Sequence, residues 1–190
     1  MHRKRMIDTF KDAEVLGPYD EYPVLVPHID PQVHLSRNDR PQPFYLICGK
    51  DTLLVQMSGT ATLSMKDSDV VNFHLVPGDF VYVPAGTPHR LIPDGVSINH
   101  RYKAEHAGLE GVAWYCLKCG EELHREVWDT EAELPQEGYA RATARFNEDA
   151  PLRTCSSCGT EHPLLDLQDF RWGSVAKELR AAAEPSPGRI

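Results

Sequence analysis

The chain has 190 residues, a formal charge of −8 and a hydrophobic content of 41%, enough for one core-bearing domain with an appendage. The acidic balance argues against nucleic acid or an anionic membrane as a partner. No apolar run approaches the ~20 residues of a membrane-spanning helix, and the start MHRKRMIDTFKDAEV lacks the apolar core of a signal peptide. A cytoplasmic protein is therefore expected. Four of the five cysteines form two CxxC pairs, which in that compartment point to metal rather than disulfides.

Residues 6–16 carry Met6, Phe10, Ala13, Val15 and Leu16 in an imperfect helical stripe. Pro18, Pro23, Pro27 and Pro31 then exclude helix, so residues 22–40, with His28, His34, Arg37 and Arg40, are expected as extended arms and loops. From Gln42 the pattern turns to strands: PFYLIC, DTLLVQMSGTATLSM, VVNFHLV, DFVYVP, HRLIP and VSINHRYK. Short strands broken by Gly, Pro and Asp are the pattern of a sandwich or small barrel.

Within GDFVYVPAGTPH, alternation places Val81 and Val83 on one face and Phe80 and Tyr82 on the other. Pro84 and Gly86 end the strand, and His89 follows at the spacing G-x5-P-x-G-x2-H. Asp94-Gly95 then reads as a two-residue hairpin turn. Counting outward from it sets Arg90 opposite Asn99 and His89 opposite His100, giving two imidazoles side by side as a ligand pair or an acid/base pair. A longer loop would shift the register and turn His100 outward. His74 is a third candidate from a neighbouring strand, although a histidine there also suits an outward position; Asp51, Cys48, His28 and His34 are weaker candidates.

Cys116-Leu117-Lys118-Cys119-Gly120 and Cys155-Ser156-Ser157-Cys158-Gly159 are two CxxCG knuckles. Two such loops complete a tetrahedral shell of four thiolates suited to zinc or iron. A closed shell leaves no open position for substrate, so its role is structural; His124 and His162 lie nearby but are not needed as ligands. A last helix is expected over 172–183, with Val175, Leu179 and Ala182 on one side, before a mobile tail within AAAEPSPGRI.

The strand ending in His89 resembles the second motif of the cupin superfamily, whose histidine is usually a metal ligand. The superfamily's first motif, roughly HxH-x3-4-E-x6-G, has no counterpart. Counted back from Gly59, its carboxylate falls on Thr52 and its histidines fall within Tyr45 to Cys48. The order VPAGTPH, GVAWYCLKCGEELHREV and FNEDAPLRTCSSCGTEHP is similar to bacterial 3-hydroxyanthranilate 3,4-dioxygenase over roughly residues 42–165. That resemblance implies a mainly β, cupin-type double-stranded β-barrel, or jelly roll, with a small C-terminal four-cysteine metal-binding module. It divides the chain into an arm and barrel at 1–110, a rubredoxin-like module at 111–165, and a C-terminal helix and tail at 166–190. It assigns the metal-binding cysteines to Cys116, Cys119, Cys155 and Cys158 and the second-motif iron ligand to His89. A pocket-strand glutamate of the family falls at His100.

Two classes of function follow. One is an enzyme acting on a small aromatic or amino-acid-derived substrate. His89 and His100 would be catalytic, with His89, His100 and either His74 or a carboxylate holding Fe(II) or another divalent metal, and Tyr45, Arg37, Arg40 and Arg101 near the substrate; Arg90 is a further nearby arginine. In a metal-free variant, His89 and His100 act as proton donor and acceptor in an isomerase or lyase step. The other class is a binding or partner module with an apolar pocket lined by Tyr45, Leu54, Val81 and Val83. Free sheet edges make a homodimer a reasonable expectation.

Overall fold

The computed structural model describes residues 4–183. Its strands are β1 (Tyr22–Pro23), β2 (Gln32–Asn38), β3 (Tyr45–Cys48), β4 (Thr52–Ser58), β5 (Ala61–Met65), β6 (Asn72–Leu75), β7 (Phe80–Val83), β8 (His89–Pro93), β9 (Ser97–Lys103), β10 (Leu109–Tyr115) and β11 (Glu122–Asp129). The helices are α1 (Thr9–Ala13), α2 (Pro135–Glu148), α3 (Ala150–Arg153) and α4 (Trp172–Ala183). The strands form two antiparallel sheets, ordered β1-β2-β9-β4-β7 and β11-β10-β3-β8-β5-β6. This is the mainly β, cupin-type jelly roll expected from the sequence. Among the described residues, no helix is long and apolar enough to cross a membrane.

The alternation read in β7 holds: Val81 and Val83 are buried, whereas Phe80 and Tyr82 face outward. Residues 22–40 differ from expectation, because β2 is a seven-residue strand pairing with β9 along its whole length. Pro31 lies just before it and withdraws no donor from the ladder. Val33 and Leu35 of β2 pack with Ala13, Leu16 and Val175 in a satellite core. The last helix therefore covers the outside of the barrel, with Val175 fully buried and Leu179 partly so. The tail from residue 184 lies outside the described residues.

The Asp94-Gly95 hairpin does not form. β8 and β9 belong to different sheets, so the turn is a crossover between layers. It is anchored by the Asp94 amide donating to the Thr60 carbonyl at 3.0 Å and by the Thr60 hydroxyl donating to Asp94 Oδ2 at 2.7 Å. The turn pattern is sound locally, but β8 pairs with β3 and β5 and β9 with β2 and β4, so each strand sits between two partners in its own sheet.

β10 pairs with β3 from Glu110↔Cys48 to Ala113↔Tyr45, so the cysteine lobe grows out of the barrel's own sheet. α2, between the two cysteine knuckles, was not foreseen. Pro135 supplies a preset φ in its first turn, and the Glu137 carboxylate accepts from the Leu134 amide at 2.8 Å. Gly138 lets the helix lie against the Trp128 ring, since a Cβ there would stand 2.2 Å from a ring carbon. Phe146, fully buried on the same helix, stacks on Trp114 with centroids 4.2 Å apart.

Candidate functional site

His89 opens β8 in the middle of its sheet, between Leu46 of β3 and Met65 of β5, and is 0% exposed. Its Nδ1–H donates to the Thr87 carbonyl at 2.9 Å, since a carbonyl can only accept. That fixes the tautomer and leaves Nε2 with a lone pair, which accepts from Arg101 Nη1 at 2.7 Å. Burial, aided by the Arg101 charge, pushes the imidazole down to about 3, so it is neutral near pH 7.

Arg101 reaches across from β9 of the opposite sheet, where alternation turns Asn99, Arg101 and Lys103 inward. Its Nε donates to Glu21 Oε1 at 2.9 Å, Lys103 pairs with Glu21 Oε2 at 3.0 Å, and Lys103 donates to Glu110 Oε1 at 2.9 Å. Tyr139 donates to Glu110 Oε2 at 3.4 Å. Burial alone would raise Glu21, but Arg101 and Lys103 outweigh it and hold the carboxylate far below its ordinary range. Burial likewise works against the two cations, and Glu21 and Glu110 keep both protonated.

Glu21 comes from the chain entering the barrel. Tyr19 and Glu21 lie in the left-handed region at φ of 51° and 43°, a strained conformation that persists only where the surroundings enforce it. Those surroundings are specific. The Tyr19 hydroxyl shares its one proton between the carbonyls of Arg40 and Leu91 at 2.7 and 3.1 Å, the Trp172 indole donates to the Tyr19 carbonyl at 2.9 Å, and Gln136 donates to the carbonyls of Asp20 and Glu21 at 3.0 and 2.9 Å. The cavity left beside Arg101, Glu21 and Tyr19 measures about 10 Å³, room for one water at most. The apolar ligand-sized pocket expected at Tyr45, Leu54, Val81 and Val83 is not there: Leu54, Val81 and Val83 are core.

The other candidates are dispersed. His100 lies on the outer face of β9, opposite Leu35 and Val55, with Nε2 3.0 Å from the Thr9 hydroxyl of α1. It does not meet His89, because the crossover replaced the hairpin that would have paired them. His74 is exposed on the edge strand β6, opposite Thr62, and is not a barrel ligand. Arg37 shares the outward side of β2 with Leu35. Arg40 pairs with Asp39 at 2.8 Å and Asp169 at 3.3 Å near the surface. Tyr45 sits at the edge of a cleft beside Tyr115. Asp51 caps the turn after β7 by accepting from the Ala85 amide at 2.9 Å, and exposed His28 pairs with Glu105 at 3.0 Å. His34 lines a second cleft with Lys103 and Glu110. Cys48 is buried, and burial pushes its thiol up to about 12.

A divalent cation in the barrel does not fit these residues. The carboxylate position holds buried Thr52, no histidine lies within Tyr45–Cys48, and the available lone pair of His89 is engaged by a guanidinium. A fixed positive charge at 2.7 Å from the donor nitrogen opposes a second cation there. Glu21 and Lys103 were not foreseen. Inward Lys103 could have been found from the alternation of SINHRYK, whereas nothing in the spacing points to Glu21, which arrives from a loop.

The four cysteines do converge. Their sulfur atoms all lie within 4.8 Å of one another, with Cys116 and Cys158 3.5 Å apart and Cys119 and Cys155 3.5 Å apart. Tetrahedral coordination at ~2.3 Å implies sulfur separations of about 3.8 Å, so the set fits a metal. The two knuckles are built alike: the Gly120 and Gly159 amides donate to the Cys116 and Cys155 carbonyls at 2.9 Å, with both glycines at positive φ. The hydroxyl and backbone of Thr160 draw the Cys158 thiol down to about 6, while contact with the other three sulfurs pushes that of Cys119 up to about 12.

Fold and cluster together define a cupin-type barrel bearing a C-terminal four-cysteine lobe able to hold a metal. The chain is similar to curated proteins named 3-hydroxyanthranilate 3,4-dioxygenase. It is 31% identical over 117 residues to that of Brucella anthropi, and 28% identical over 114 residues to that of Xanthomonas euvesicatoria pv. vesicatoria, in each case across 57% of this chain and 62% of the relative. It thus spans about three fifths of the length of these relatives. No protein-family model matches. Among solved structures, a cupin-2 domain containing protein from Shewanella frigidimarina aligns over 52% of this chain and 93% of its own, at 15% identity and a TM-score of 0.45.

Proposed function

We propose that the chain is a divergent cupin enzyme, related to the 3-hydroxyanthranilate 3,4-dioxygenases, that acts on a small aromatic or amino-acid-derived carboxylate at a rebuilt histidine-based centre. The likeness to those dioxygenases supports the enzyme class. The observation that carries the centre is the buried neutral imidazole of His89 set 2.7 Å from the guanidinium of Arg101. A guanidinium held inside a barrel recognises a carboxylate or stabilises a developing oxyanion. Once Arg101 turns to such a group, Nε2 of His89 is freed as a proton acceptor. Substrate enters where the Tyr19–Glu21 segment now lies, the Glu21 carboxylate standing in for that of the ligand.

Oxidative metal chemistry of the dioxygenase kind would need ligands the barrel does not offer, so no step is assigned to a barrel metal. Cys116, Cys119, Cys155 and Cys158 would hold zinc or iron as a structural tie between β10, β11 and the segment after α3. A cytoplasmic homodimer belongs to the same reading.

One observation favours a second reading, a barrel that binds partners without turnover: the interior cavity of about 10 Å³. The two separate on incubation of the full chain with a panel of aromatic and amino-acid-derived carboxylates, 3-hydroxyanthranilate included, with and without added Fe(II), followed by chromatography. Consumption of a panel member that is lost in His89→Ala supports the enzyme. No consumption under either condition supports the non-catalytic barrel.

A further inference from the structure

A cleft of about 260 Å³ opens where β3 and β8 meet the first cysteine knuckle; its walls include Tyr45, Lys66, Arg90, Tyr115, Cys116 and His162. It lies outside the barrel interior and plays no part in the function above. Two cations face it. Arg90 donates from Nε to the Gln42 carbonyl at 2.6 Å, which leaves the two terminal nitrogens for another acceptor. Among the described residues no carboxylate pairs with it, although it is half-buried, and burial depresses its pKa. Lys66 likewise has no acidic partner among the described residues. Its ammonium stands 4.9 Å from the ring centre of Tyr115 and 5.5 Å from that of Tyr45, and the two rings meet edge to face at 5.0 Å.

Arg90 and Lys66 both line this cleft without a carboxylate partner among the described residues, and a partly desolvated guanidinium gains most from a bound anion. The free edge of Arg90 suits two parallel hydrogen bonds to a carboxylate. Lys66 supplies a second charge, and the tyrosine rings with Phe44 and Trp114 supply walls for a planar group. The volume is near the lower end of small-molecule sites. We propose that this cleft binds a small aryl carboxylate, with Arg90 gripping the carboxylate and the joined Tyr45 and Tyr115 rings forming one wall against the ligand ring.

The test is calorimetric titration of benzoate into the full metal-loaded chain, with acetate as the ringless probe. The cleft's affinity for benzoate is expected to be the same in the wild type and in a folded Arg101→Met, where any second benzoate site in the barrel is lost, to be at least tenfold weaker in Arg90→Met, and to exceed that for acetate. Lys66→Met, on a partly exposed side chain and therefore safe for folding, is expected to weaken benzoate several-fold and decides the matter should Arg90→Met fail to fold. Absence of benzoate binding to the wild type, or equal binding by wild type and both cleft variants, overturns the site. Equal affinity for acetate and benzoate overturns the aryl specificity. Loss in Arg101→Met alone places binding in the barrel, which overturns the cleft and leaves the proposed function standing.

Discussion

Arg101 Nη1 stands 2.7 Å from His89 Nε2, so the histidine that the resemblance makes a metal ligand is here the acceptor of a guanidinium. Glu21 and Glu110 balance the charge that Arg101 and Lys103 bring inside. The barrel centre is thus organised by ion pairs rather than by a cation shared among side chains.

That arrangement gives stability a pH dependence of definite sign. His89 titrates near 3 in the fold but near ~6.5 in an unfolded chain. Between those values the unfolded state binds a proton that the folded state refuses, so stability falls by about 1.4 kcal/mol for each unit of acidification. Glu21 adds to the loss only lower down. Its folded pKa is depressed, so its contribution is complete above the ordinary carboxylate value of ~4.3 and is lost as pH falls through that range. Denaturation midpoints between pH 7 and 5 should decline in the wild type and decline less steeply in His89→Asn, where burial still lowers His100 and His162. An equal slope in both would mean that His89 is not the group responsible.

Glu21→Gln leaves Arg101 and Lys103 buried with one carboxylate, Glu110, between them. The expected cost is about 3–5 kcal/mol, read from urea unfolding. A loss below about 1 kcal/mol, the range of an exposed pair, would contradict the burial of this network.

Gly138→Ala drives a methyl group into the Trp128 ring, 2.2 Å from the nearest atom. Overpacking of this kind costs about 1–3 kcal/mol, against the general gain from Gly to Ala in an exposed helix. A thermal midpoint that rises would show that α2 does not rest on β11 at this point.

Much of this was legible in the residues. The strands of the barrel, the faces of Val81 and Val83 and the convergence of the four cysteines follow from alternation, turn residues and thiolate spacing, which act over a few residues. The partner of His89 was not legible, because Asp94-Gly95 is a good hairpin sequence whose two strands nevertheless pair in separate sheets. One step along β9 then exchanges His100 for Arg101 at the centre. Glu21 was beyond reach for a different reason: only the packing of Gln136 and Trp172 around Tyr19–Glu21 brings that carboxylate inside, and those contacts span more than a hundred residues.

The most direct test is the metal content of the purified chain after reconstitution with excess Fe(II) or Zn(II) and desalting. One equivalent per chain is expected in the wild type and in His89→Ala, and less than one in Cys119→Ser. Two equivalents in the wild type, the second lost in His89→Ala, would contradict a barrel centre held by Arg101 and Glu21.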